Sequence, residues 1–396
     1  MRLLFVTNKF PPPHEGGSRV YFDNLVQSQP PQDVVVLTNR RPGTDEADAA
    51  QPFQVRKTGY LLRGSPSKVD RARIVAEFVR ELSRLPIRPG DLIHADSIMA
   101  PAAAAWIAKR RYGVPFVVHL FGEELKVMLT GSTYKHAIAR GWARRVLNDA
   151  DGCIVVSDYT AELLEPFGVD RGKVTKIVPM VHMAGRQPRP GSDTELRRRL
   201  GIPTESRVVL SVSRLIERKG HDVLLHAFKR LSDEFPDVVL VIAGRGPHRP
   251  VLEGIVERLA LKERVIFAGF VADEDLARLY GGAELFALPH RELADGDGEG
   301  CPTVFLEASS YGLPVVGGSA CGVRDAIVDG ETGAIVDGED ADALAAAMGE
   351  LLRDRARARR LGESGRIRVE SECSRAAGGR KLAEFSRAIL DRRAVG

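Results

Sequence analysis

Short runs of aliphatic and β-branched residues return along the whole chain, with helix-length stretches between them. They fall at residues 3–6, 33–38, 91–94, 115–119, 152–156 and 173–179, and again at 208–212, 238–243, 265–270, 283–289, 314–316 and 334–336. Such runs are apolar on both faces, as strands between two layers of helices must be. Regular strand–helix alternation dictates a mostly parallel, doubly wound sheet. A chain of 396 residues, 44% hydrophobic, exceeds one ordinary core, so two α/β domains of similar size are predicted. The Pro-, Gly- and Arg-rich stretch around 184–192 is the predicted linker, dividing the chain into 1–182, 183–193 and 194–370. Residues 371–396 are long enough for a closing helix.

Charge and cysteine usage remove several classes. With 57 basic against 53 acidic residues the net charge is only +4, which does not suit a nucleic-acid-binding protein. The four cysteines show no CxxC spacing, so neither a zinc site nor a disulfide framework is predicted. The opening apolar run is too short for a signal sequence, and no apolar run reaches the roughly 20 residues that span a bilayer. The expectation is a soluble, cytoplasmic protein. Residues 53–56 predict a short segment and 71–85 a helix, and Arg56, Lys57, Arg63, Lys68, Arg71 and Arg73 form a basic group just before or within the start of that helix. It reads either as a solvated face or as peripheral contact with the inner face of an anionic membrane.

Several stretches carry candidate chemistry. Residues 283–289 predict a buried strand, 294–299 an acidic glycine-bearing loop, and 303–311 a helix ended by Gly312. The corner Glu299-Gly-Cys-Pro-Thr-Val-Phe-Leu-Glu307 thus puts a helix N-terminus at a sheet edge, either an anion site or a capped polar loop. Arg214 and Lys219 follow the first strand of the second domain, where paired cations suit a diphosphate or stand as solvated surface charges. Gly16 and Gly17 lie in the first strand-to-helix loop, close to a phosphate or sugar or as a flexible pair, with Ser18 as a candidate cap. His119 ends a strand, as a functional group or a merely hydrogen-bonded one. Asp295 and Asp297 are acids of the kind that hold Mg²⁺, but Arg214 and Lys219 are placed to neutralise phosphate charge, so no metal is predicted.

In combination these motifs resemble the retaining glycosyltransferases of family GT4, over essentially the full length. The resemblance is carried by Ser213-Arg214-Leu215 through Lys219-Gly220, by Gly244-Arg-Gly-Pro247, and by the Glu299/Glu307 pair followed by Gly312-Leu-Pro-Val315. Asn8-Lys-Phe-Pro-Pro and the segment from Arg291 to Ser309 are most similar to the bacterial phosphatidylinositol-mannoside mannosyltransferase branch. The resemblance implies a GT-B fold, two Rossmann-like domains facing across a cleft, with the terminal helix crossing back to the first. It implies a metal-independent hexosyl transfer from a UDP- or GDP-linked sugar, with no cofactor, to a small polar, cyclitol or lipid-linked hydroxyl.

By the same resemblance, Arg214 and Lys219 bind the diphosphate, Glu307 the ribose, and Glu299 the transferred sugar. Cys301, Pro302, Thr303 and Val304 surround the sugar and phosphates, with backbone groups near Cys301 and Thr303 as the donors. Phe270 and Val271 flank the base, Gly16 and Gly17 approach the diphosphate or acceptor, and His119 lies near the reacting sugar. Three positions depart from the family pattern. Pro302 stands where glycine is frequent and has no N–H to donate. Pro179-Met-Val-His182 replaces the usual hinge run, and Leu120 follows His119 where glycine is common. A nucleotide-sugar 2-epimerase, a glycan phosphorylase and a non-catalytic sugar-binding protein are the alternatives on this fold.

Overall fold

The computed structural model describes residues 1–8, 10, 17–62, 67–181, 193–294 and 296–395. The predicted linker lies almost wholly outside them, as do Gly16 and Asp295. Two compact units emerge, one of Met1–Met180 with Arg375–Gly396, the other of Val181–Ser374.

The first unit is built on seven parallel strands: β1 (Arg2–Thr7), β2 (Val34–Arg40), β3 (Gln54–Leu61), β4 (Asp91–Ala95), β5 (Phe116–Leu120), β6 (Gly152–Val155) and β7 (Val174–Lys176). Their order is β3-β2-β1-β4-β5-β6-β7. β1, β4 and β5 are buried at every or nearly every position, which is why they read as mostly apolar runs. Leu4, Val6, Phe78, Phe116 and Leu147 belong to one core under the helices Lys68–Ser83, Ala100–Tyr112 and Tyr134–Asp149. The closing helix Arg375–Val395 belongs to this unit and lies against Gly17–Gln27. Its Phe385 packs so tightly on β6 that a Cβ on Gly152 would sit 2.6 Å from the ring.

Three local expectations are corrected. β3 runs for eight residues, where the sequence suggested a brief segment at 53–56, because Lys57 is neutralised by Asp45 and Asp48 and can enter the sheet edge. The next helix starts at Lys68 and not at Arg71, since Ser67 and Asp70 form a reciprocal capping box. Ser18 does not cap its helix, which already includes Gly17.

The second unit has six parallel strands: β8 (Arg207–Val212), β9 (Val238–Ala243), β10 (Val265–Gly269), β11 (Leu285–Leu288), β12 (Val315–Gly318) and β13 (Gly333–Val336). The order is β10-β9-β8-β11-β12-β13. Chain direction across the sheet therefore reverses between β8 and β11, and open α/β sheets bind ligands beyond the carboxyl ends of the strands at such a point. The corresponding place in the first unit lies between β1 and β4.

Candidate active site

Beyond β8 the chain makes one 3-10 turn, Glu217–Lys219, before the helix His221–Ser232. Gly220 joins them at φ 69°, and a Cβ there would fall 2.0 Å from the carbonyl oxygen of Pro289, just past β11. Only glycine lets the turn dock this closely on the exit of β11. Gly244, at φ 141°, does the same after β9, where a Cβ would meet Ser213 O at 1.8 Å. The exits of β8, β9 and β11 are thereby drawn together.

This docking buries Arg218 and Lys219 at 8% and 7% exposure. Lys219 Nζ lies 2.6 Å from Glu299 Oε1 and 3.0 Å from His290 Nε2. Arg218 donates from Nε to the same Glu299 oxygen at 3.0 Å and pairs with Asp297. Burial alone would raise the Glu299 carboxyl, but the Lys219 and Arg218 cations outweigh it and hold it down at about 2. Burial lowers the Lys219 ammonium from its ordinary value, with Glu299 opposing. The two buried cations are thus matched by two carboxylates, and Arg214, exposed beside them, has no ion-pair partner among the described residues.

The predicted residues distribute unevenly. Lys219 and Glu299 meet, as one wall of a site. Arg214 contributes to Lys219 electrostatically, yet the basic side chain sharing the Glu299 carboxylate is Arg218, which the sequence reading passed over. Glu307, on the helix Thr303–Ser310, accepts a hydrogen bond from the Tyr280 hydroxyl at 3.2 Å, and Tyr280 stacks on Tyr311. Pro302 is the residue before that helix, and no side chain caps its first turn, so the backbone donors there begin after the proline. Thr303 and Val304 open the helix half-buried. Desolvation holds the Cys301 thiol well above its ordinary range, which keeps it protonated. Phe270 stands 70% exposed past β10 with the Arg245 guanidinium 5.6 Å from its ring centre, and Val271 is half-buried. Among the described residues no group of three His, Cys, Asp or Glu side chains could hold a metal ion.

In the first unit Gly17 begins a helix and is exposed. His119 is fully buried at the end of β5, edge-on to Phe22. Its Nε2 lies 3.0 Å from Nδ1 of His94, and His94 Nε2 lies 3.3 Å from the Ser386 hydroxyl on the closing helix. Ser386 donates its proton to Leu382 O at 2.7 Å, so it accepts from His94 Nε2–H. His94 Nδ1 then accepts from His119 Nε2–H, leaving a lone pair on His119 Nδ1. Burial pushes His94 down to about 3 and His119 well below its ordinary range, the latter helped by His94, so both rings are neutral.

His94, next to last in β4 as His119 is in β5, and His290, two residues past β11, carry the same signal of a histidine near a strand's end. Tyr280 and Ser386 carry no local signal, since their partners are 27 and 292 residues away.

Residues 16–179 match the family described as "Glycosyl transferase 4-like domain", and residues 192–368 match "Glycosyl transferases group 1". The GDP-mannose-dependent alpha-(1-6)-phosphatidylinositol monomannoside mannosyltransferase of Mycolicibacterium smegmatis is 31% identical over 369 residues, 92% of each chain. The enzyme of the same description from Mycobacterium tuberculosis is 32% identical over 98% of each. Among solved structures, Anabaena HepE in complex with UDP superposes with a TM-score of 0.80 at 19% identity, over 98% of this chain and all of that one.

Proposed function

Because this chain belongs to the GT4 family of glycosyltransferases with the GT-B fold, we propose that it moves a hexosyl group from a nucleoside-diphosphate sugar to a hydroxyl acceptor with retention and without a metal ion. The observation that carries this reading is the Lys219 ammonium, buried between Glu299 and His290 at the β8–β11 reversal. Charge grows on the diphosphate as the glycosidic bond breaks, and preorganised cations out of bulk water stabilise it strongly. Lys219 and Arg214 supply that charge, Arg218 and Asp297 fix Glu299, and the uncapped N–H groups after Pro302 face the same anion.

Glu307 takes the ribose hydroxyls, with Tyr280 holding its carboxylate, and Phe270 with Arg245 offers a stacking surface to the base. Retention without a protein nucleophile requires the acceptor hydroxyl to attack on the face the diphosphate leaves, passing its proton to a phosphate oxygen.

The relatives make GDP-mannose the first donor to test and an inositol-bearing lipid the first acceptor. Exposed Val127, Tyr134 and Ile138, beside Lys135 on the helices Glu123–Thr130 and Tyr134–Asp149, favour peripheral contact with a membrane carrying such a lipid. Incubation with GDP-mannose, UDP-glucose or ADP-glucose and phosphatidylinositol monomannoside or free inositol, followed by NMR of the product anomer, tests the reading. An α-linked product from an α-linked donor in the presence of EDTA is expected. Donor turnover that requires Mg²⁺, or a β-linked product, would contradict it.

A further inference from the structure

Lys219 has three N–H donors and no acceptor. Two are engaged, by Glu299 Oε1 at 2.6 Å and by His290 Nε2 at 3.0 Å. His290 Nε2 must therefore be the lone-pair nitrogen, and its proton sits on Nδ1, a buried atom with no partner among the described residues. The ring cannot readily turn. It is 1% exposed, its centre is 5.4 Å from that of Phe305, and its own carbonyl is wedged between two glycines. A Cβ on Gly318 or Gly338 would stand 2.0 or 2.2 Å from His290 O.

We propose that His290 is a positioning residue that aims the third Lys219 N–H at the donor diphosphate, an inference that rests on Lys219 as a diphosphate ligand. A carboxylate alone lets an ammonium rotate about its Cε–Nζ bond and slide between two oxygens. A second fixed acceptor removes that freedom and leaves one direction for the remaining proton. The acceptor also has to be neutral. Arg218 and Lys219 are already balanced by Asp297 and Glu299, so a further carboxylate would cancel the positive charge that Arg214 adds to the pocket wall and weaken its attraction for phosphate. A buried imidazole beside a lysine cation stays uncharged, as its strongly lowered proton affinity indicates.

The test compares His290→Gln, whose amide oxygen reaches the Nε2 position, with His290→Asn and His290→Leu, which place no acceptor there. Turnover is measured with varied acceptor at a saturating concentration of the donor that the wild type uses, and circular dichroism with thermal unfolding checks the fold. His290→Leu and His290→Asn are expected to lose about tenfold to a hundredfold in kcat, with acceptor KM unchanged and His290→Gln recovering most of the loss. Combining His290→Leu with Lys219→Ala is expected to cost no more than Lys219→Ala alone, because His290 acts through the lysine. Wild-type kcat in folded His290→Leu or His290→Asn overturns the proposal, as does a His290→Gln as impaired as either, or additive losses in the double variant. If Lys219→Ala matters and His290 does not, the diphosphate reading stands while this inference fails. If Lys219→Ala itself turns over normally, both fail.

Discussion

Lys219 Nζ and Glu299 Oε1 are 2.6 Å apart, tying the turn after β8 to the loop after β11 across the point where the sheet of the second unit reverses. The pair is out of bulk water and shared with Arg218, so it is both a structural clasp and the cationic wall of the proposed donor site.

Removing the lysine separates those two roles. Lys219→Ala is expected to lose about 10²–10³-fold in kcat, the scale of deleting one preorganised stabiliser of developing charge. Arg218 continues to neutralise Glu299, so the variant should fold. Steady-state kinetics with circular dichroism checks both halves, and turnover within threefold of wild type would sink the diphosphate assignment.

Glu307 should behave differently, because ribose contacts are the same in the ground and transition states. Glu307→Ala is expected to raise the donor KM about tenfold, roughly 1.4 kcal/mol, and to leave kcat nearly unchanged. A fall in kcat with constant KM would move Glu307 from the ribose to the reacting centre.

Buried neutral histidines make the fold acid-sensitive. Burial holds His94 and His221 down at about 3, against an ordinary value of 6.5, and also lowers His119 and His290 well below that ordinary value. With folded values depressed, the unfolded chain binds more protons below pH 6.5. This contribution is complete above that pH and lost as pH falls toward 3, by about 1.4 kcal/mol per pH unit for each ring. Unfolding midpoints should fall steadily from pH 6.5 to pH 5, and a flat profile over that range contradicts the neutral assignments.

The His119–His94–Ser386 chain has a spectroscopic signature. Ring ¹⁵N NMR is expected to find the proton on Nε2 of both histidines between pH 6 and 8. Ser386→Ala removes the acceptor that sets the direction, so the His94 resonances should shift in that variant. A proton on Nδ1 of His119 in the wild type would reverse the chain.

Much of the architecture is legible because parallel strands buried on both faces are dominated by apolar residues, and β9 is apolar throughout while β1, β5 and β8 are over most of their length. Lys219 and Glu299 are legible because each sits just past such a strand. Arg218 is not, since it is the 3-10 turn and Gly220 that bring it against the acidic loop together with its neighbour Lys219. The Lys68 helix start was misplaced for a similar reason, as the capping box lies upstream of the apolar periodicity. Tyr280 and Ser386 are set by helix packing between residues distant in sequence, which local pattern does not encode.

Isothermal titration of GDP, UDP and ADP into the wild-type protein and into Lys219→Ala tests the central claim most directly. At least one nucleotide should bind the wild type, with a dissociation constant that rises tenfold or more in the variant. Failure of all three to bind, or equal affinity for both proteins, would contradict the placement of the donor diphosphate at Lys219.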